Sequence, residues 1–346
     1  MAEPQWANAA LQQLWAEGID VRHLFMSTSG PDICPSFTRE HFKYVAPARF
    51  SSGAQLVAIY EDRNRLAAGL ECLWGGALCS INKSNPLKSL NHFDSLAHWR
   101  LNLFIGRSAW SFSPKSFVEC WEKHRSLVQR TPAEQQVLQW YEANEPWQSR
   151  WHPYREGSGA MRRAPIWGAI YAGFPQQAAV AAAQDASASY GGWGVWSATV
   201  IAYAVAELWT YHDDPALTLV KAMTYVEPRE HLGVKALMKT IHTTYADPWR
   251  KWVQLVNTEF SGYPKDHSLP NLLLIIGALH WFSPSVTEMW NALREVRWDI
   301  TGNLLISGAL SGKRWRRLGM SEPLAKELNE LITMTADQHM QGSLNH

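Results

Sequence analysis

Residues His152–Trp209 read HPYREGSGAMRRAPIWGAIYAGFPQQAAVAAAQDASASYGGWGVWSATVIAYAVAELW, and their pattern decides the fold. The turn Gly157-Ser158-Gly159 runs into about a dozen residues of helical spacing, which Gly173-Phe174-Pro175 breaks. An alanine-rich helix follows from about Gln176 to Ser187, and a third helix from near Gly194 to Leu208 is apolar on nearly every side. A helix apolar all round has no face to offer water, so these three are expected at the centre of an all-helical domain.

Composition sets the class. The 346 residues are 46% apolar, enough to bury a large core, and the reading is one globular domain. Lys and Arg number 32 against 31 Asp and Glu, so the formal charge of +1 gives no pull toward nucleic acid or an anionic membrane. The 19 tryptophans suit aromatic-walled pockets and helical cores equally. Cys34, Cys72, Cys79 and Cys120 show no CxxC spacing, and the N-terminus carries no charged-then-apolar segment, so reduced thiols and a cytoplasmic protein are expected. The longest apolar runs, Trp196–Trp209 and Leu269–Phe282, are about 14 residues against the ~20 that a membrane span needs, so no membrane partner is expected.

Along the chain, Pro4–Glu17 has helical apolar spacing and the stretch to about Tyr60 is irregular. The expected organisation is an extension or lid over 1–60, a helical domain over 61–335 and a tail over 336–346. A helix is expected from Arg63 to about Ser80, with Cys72 and Cys79 as packed thiols on one face, and another near Phe93-Asp94-Ser95 with Asp94 as N-cap. Further starts are marked by Ser113-Pro114, Thr131-Pro132-Ala133-Glu134, Pro270 and Ser283-Pro284. Pro228–Ala246, Ala246–Phe260 and Trp298–Gly312 also read as helical, for about ten to twelve helices and no sheet.

Four places in this order resemble motifs of the ADP-ribosylglycohydrolase family. LAAGLECLWGGAL over 66–78 resembles the family's opening helix, and Phe93-Asp94-Ser95 falls where the family has its first acidic metal run. HPYREGSGAMRRAP resembles the segment that cradles the substrate, with DASASY over 185–190 after it, and WDITGN over 298–303 resembles the last metal motif. The resemblance implies an all-α, compact multi-helix bundle that cleaves a glycosidic bond to ribose or ADP-ribose. It implies catalytic roles for Asp94 and Asp299, and a substrate cradle of Gly157, Ser158, Gly159, Met161, Arg162, Tyr190, Trp193 and Asn303.

The metal motifs depart from the family. Only Asp94 and Asp299 keep carboxylates, with Ser95 and Thr301 as neutral neighbours, a ligand set that supplies −2 where a magnesium pair carries +4. The expectation is no required cofactor, or a single weakly held magnesium on Asp94, Ser95, Asp299 and Thr301. Both aspartates would then serve as general base and as stabiliser of an oxocarbenium-like ribose. No histidine pair has zinc spacing.

Each residue also has a plainer reading. Asp94 and Asp299 suit helix caps, the Gly157-Ser158-Gly159 turn suits close helix packing, and Trp193 suits a core. The turn's N–H groups would otherwise hold a diphosphate or ribose hydroxyl, with Tyr190 and Trp193 stacked on a base. One of Arg162 and Arg163 is expected to pair with Glu156 or an internal carboxylate. Three functions follow: a metal-poor hydrolase of a small ribosyl or ADP-ribosyl conjugate, a non-catalytic ADP-ribose or nucleotide binder, and a pocket repurposed for rearrangement or cyclisation of a metabolite.

Overall fold

The computed structural model describes residues 114–123, 131–147, 152–210, 214–226, 239–282 and 285–311. Its helices are α1 (Pro114–Lys123), α2 (Pro132–Glu142), α3 (Gly159–Arg163), α4 (Pro165–Ile170), α5 (Pro175–Ser187), α6 (Gly192–Thr210), α7 (Pro215–Val226), α8 (Pro248–Glu259), α9 (Ser268–Phe282), α10 (Val286–Glu295) and α11 (Ile300–Leu310). Among the described residues there is no strand; the only extended pairing is an isolated antiparallel bridge between Gly157 and His267. The architecture of the described residues is all-α. The expected helices at 4–17, 63–80 and 93, the boundaries at 60 and 335, and Asp94, Ser95 and three of the cysteines lie outside the described residues.

Helix α6 is the axis. Every residue from Gly192 to Glu207 is buried, and the helix packs against α3, α4, α5, α7, α9 and α11. Burial on all sides follows from its sequence, in which Glu207 is the one charged residue and pairs with Lys221 of α7. Helices α9 and α11 are likewise buried nearly all round, from Ser268 to Leu279 and from Gly302 to Leu310. Helix α5 instead buries an alanine face, Ala178, Ala179, Ala181, Ala182, Ala183 and Ala186, whose small side chains let it lie close to α6. No helix among the described residues is long and apolar enough to cross a membrane.

Helix starts follow local chemistry. Thr131 caps α2 through a capping box with Glu134, and Ser285 caps α10 by accepting from the Glu288 N–H at 3.4 Å. The single helix expected after Gly159 is two short ones meeting at Ala164, because Pro165 has no N–H to continue the ladder. Helix α7 has no counterpart in the sequence reading. Its signal is Asp214 ahead of Pro215: the Asp214 carboxylate accepts from the N–H of Ala216 at 2.8 Å and of Leu217 at 3.0 Å.

Candidate functional site

Two loops set the site. Around the Gly157–His267 bridge, the Ser158 N–H donates to the Asp266 carbonyl at 2.6 Å and the Ser268 N–H donates to the Glu156 carbonyl at 2.8 Å. These bonds fasten the start of α3 to the start of α9. Helix α11 begins beside them at Asp299, and it packs on both α3 and α9.

Ser158 and Arg162 are four residues apart, so they share one face of the helical turn. Both reach Asp299. The Ser158 hydroxyl donates to Oδ2 at 2.5 Å, across 141 residues of sequence. Arg162 donates to the same oxygen from Nη2 at 2.6 Å and from Nε at 3.1 Å. The pair is mostly buried, with side-chain exposure of 23% for Arg162 and 8% for Asp299. Asp299 is also the N-cap of α11, where Oδ1 accepts the Gly302 N–H at 3.0 Å. Gly302 leaves room for this meeting, because a Cβ there would overlap the Asp299 carboxylate and sit 2.9 Å from Arg162 Nε.

An amide relay supports this carboxylate. Asn271 accepts on Oδ1 from the Asp299 N–H at 3.1 Å and from Asn303 Nδ2 at 2.8 Å. Its own Nδ2 donates to the carbonyls of Lys265 at 3.0 Å and His267 at 2.7 Å. Asn303 Oδ1 and Ser268 Oγ are buried with no protein partner among the described residues. Leaving such atoms unpaired costs about 1–3 kcal/mol each, so hydroxyl or water donors are favoured beside them.

Arg163 turns the other way, into the core. It pairs with Glu134 through Nη1 and with Asp185 Oδ1 through Nε at 3.0 Å, and Nη2 donates to the Asp185 carbonyl at 3.0 Å. Trp167 Nε1 donates to the second Asp185 oxygen at 2.9 Å. The Trp121 and Tyr190 rings lie near the guanidinium, at 4.9 and 5.4 Å from their centroids. Burial works against the charge of Arg163, but Asp185 and Glu134 outweigh it and hold the guanidinium above its usual pKa.

A second pair faces outward. His267 Nδ1 accepts the Leu269 N–H at 3.3 Å, so the proton of the neutral ring sits on Nε2, which donates to Glu156 Oε2 at 3.2 Å. The Glu156 side chain is 34% exposed, and the Tyr263 ring packs edge-on against His267 at 4.7 Å.

The structure therefore brings Ser158, Arg162, Asp299 and, through Asn271, Asn303 together. It does not leave the Gly157-Ser158-Gly159 turn open as expected. The Gly157 N–H is taken by the Tyr154 carbonyl at 3.0 Å and that of Ser158 by Asp266. Gly159 is needed because a Cβ would overlap the Tyr190 hydroxyl. Met161 is fully buried in the core. Tyr190 is not placed for stacking on a base: burial and Glu134 raise its pKa, and its hydroxyl meets Thr131 Oγ1 at 2.8 Å. Trp193 packs edge-on against Trp196 at 5.0 Å in the core. Both arginines pair with carboxylates, neither of them Glu156.

The described part of the expected magnesium ligand set does not fit the ion. Asp299 is occupied by four donors, Thr301 is exposed on the first turn of α11, and no group of three His, Cys, Asp or Glu side chains suited to a metal occurs among the described residues. Asp299 stands here as an anion holding Arg162 and as a helix cap rather than as a base toward water.

Sequence reasoning missed Glu134 as a partner of Arg163, and it missed the Glu156–His267 pair. The first carried a signal, since a Glu three residues after Thr131 marks a capping box, though nothing local marks the arginine. The second had none. Comparison of the chain with family models, with curated proteins and with solved structures returns no match.

Proposed function

We propose that this protein binds a ribosyl or ADP-ribosyl conjugate where α3, α9 and α11 meet, as a divergent bundle of the ADP-ribosylglycohydrolase kind. The carrying observation is that Ser158 and Arg162, from the segment resembling a substrate cradle, meet Asp299, from the segment resembling the last acidic motif. Motifs that far apart in sequence have no local reason to converge. Asp299, with Oδ2 held by Ser158 and Arg162 and Oδ1 by the α11 cap, favours binding over water activation.

Hydrolysis of the glycosidic bond is the second reading, and the Glu156–His267 pair favours it. A carboxylate about one-third exposed and held by an imidazole of fixed tautomer can accept a proton from an attacking water, and Glu156 is two residues from Ser158 in sequence. Asp94 would then be the remaining carboxylate.

Calorimetry with ADP-ribose and with NAD, an ADP-ribosyl conjugate, in EDTA, followed by chromatography of the NAD mixture, separates the readings. Binding without new products supports the first, and release of free ribose or ADP-ribose from a conjugate, lost in Glu156→Gln, supports the second. Neither binding nor turnover with any ribosyl compound would overturn both.

A further inference from the structure

We infer that Arg162 is the built-in cation of this site: its guanidinium occupies the place beside Asp299 that a divalent metal ion would require. The positive charge beside Asp299 comes from the chain itself. A carboxylate offers about four acceptor positions. Ser158 Oγ, Arg162 Nε and Arg162 Nη2 crowd Oδ2 at 2.5, 3.1 and 2.6 Å, and the Gly302 N–H takes one position on Oδ1 at 3.0 Å. A magnesium ion must take an oxygen lone pair at about 2.0–2.1 Å: on Oδ2 it would displace the guanidinium, and on the remaining position of Oδ1 it would lie close to a like charge in a mostly buried setting.

Three features show the arrangement to be held rather than incidental. Arg162 follows Ser158 by four residues, so both donors come from one rigid helical turn. Asp299 is fixed from below by its capping bond and by Asn271. Gly302 leaves room for the two side chains to meet. Arg162 is thus a positioning residue: it sets the orientation and charge of the Asp299 carboxylate, and the site takes its ligand without metal.

The test is a titration with Mn²⁺ followed by electron paramagnetic resonance, with no nucleotide present, so its outcome is independent of the ribosyl reading. The proteins are the wild type, Asp299→Asn, Arg162→Gln and the double variant, each checked for helicity by circular dichroism. The wild type is expected to show no Asp299-dependent binding. Arg162→Gln is expected to bind Mn²⁺ at least about tenfold more tightly, with the gain lost in the double variant. Wild-type binding that Asp299→Asn removes would overturn the inference, as would a folded Arg162→Gln that gains nothing. Should Arg162→Gln fail to fold, the comparison of wild type with Asp299→Asn decides alone.

Discussion

Arg162 and Asp299, 137 residues apart, meet through two guanidinium nitrogens converging on a single carboxylate oxygen at 2.6 and 3.1 Å. Removing the charge of Asp299 takes from Arg162 the carboxylate it holds by two hydrogen bonds. Asp299→Asn keeps a side chain that can cap α11, so its cost reports the loss of the ion pair together with the Ser158 hydrogen bond to Oδ2. The expected loss is about 2 kcal/mol, below the 3–5 kcal/mol of a fully buried pair because Arg162 keeps 23% exposure. Urea denaturation measures it, and a cost near zero would mean the pair is only a surface contact.

Gly302→Ala sets two effects against each other. Alanine favours a helix by about 1 kcal/mol over glycine. The added Cβ would overlap the Asp299 carboxylate and crowd Arg162 Nε at 2.9 Å, and Asp299 cannot swing away without losing its cap. The clash is expected to win, with a net loss of about 1–2 kcal/mol in the same assay.

Arg163 is the centre of a buried triad with Glu134 and Asp185, and all three residues are 1% exposed. Arg163→Ala leaves two carboxylates in the core and is expected to cost about 3–5 kcal/mol, enough to threaten folding of an ordinary domain. Arg163→Lys keeps the charge but cannot reach Glu134, Asp185 Oδ1 and the Asp185 carbonyl together, so it should rescue only part of the loss. Thermal melts of the two variants provide the comparison.

Acid sensitivity should come in part from His152. Burial lowers its pKa below 6.5, the hydrogen bond to Ser189 O at 3.1 Å pulls it back up, and Arg155 lowers it again. Nε2 must carry the proton to donate to that carbonyl, so protonation would put a second N–H on the buried Nδ1, which has no partner among the described residues. The folded pKa lies below the unfolded one. As pH falls past about 6.5 the unfolded chain therefore takes the proton first, and stability present above that pH is lost as pH falls through the folded value. His280 is shifted in the same direction, by burial and then by His242. His152→Gln should flatten, without abolishing, the slope of stability between pH 7 and pH 5. An unchanged slope would remove His152 from this account.

What the sequence revealed was what local chemistry controls. The capping box at Thr131, the cap at Asp299 and the all-round apolar character of α6 are readable within a few residues, and the structure shows each of them. The close-packing reading of Gly159 and the core reading of Trp193 also describe what those residues do. Helix α7 also carries a local signal, the cap at Asp214 directly ahead of Pro215. The pairings of Arg163 with Glu134 and of His267 with Glu156 are of another kind. They join residues 29 and 111 positions apart whose meeting depends on how helices and loops pack, which no local pattern encodes.

The central claim is a ribosyl site that works through Arg162 and Asp299 without metal, and a thermal-shift experiment with ADP-ribose addresses it directly. A ligand at 100 times its dissociation constant adds about 2.7 kcal/mol of stability. The account predicts a rise in melting temperature that is equal in EDTA and in excess magnesium and disappears in Asp299→Asn. A rise that needs magnesium, or no rise under either condition, would contradict it.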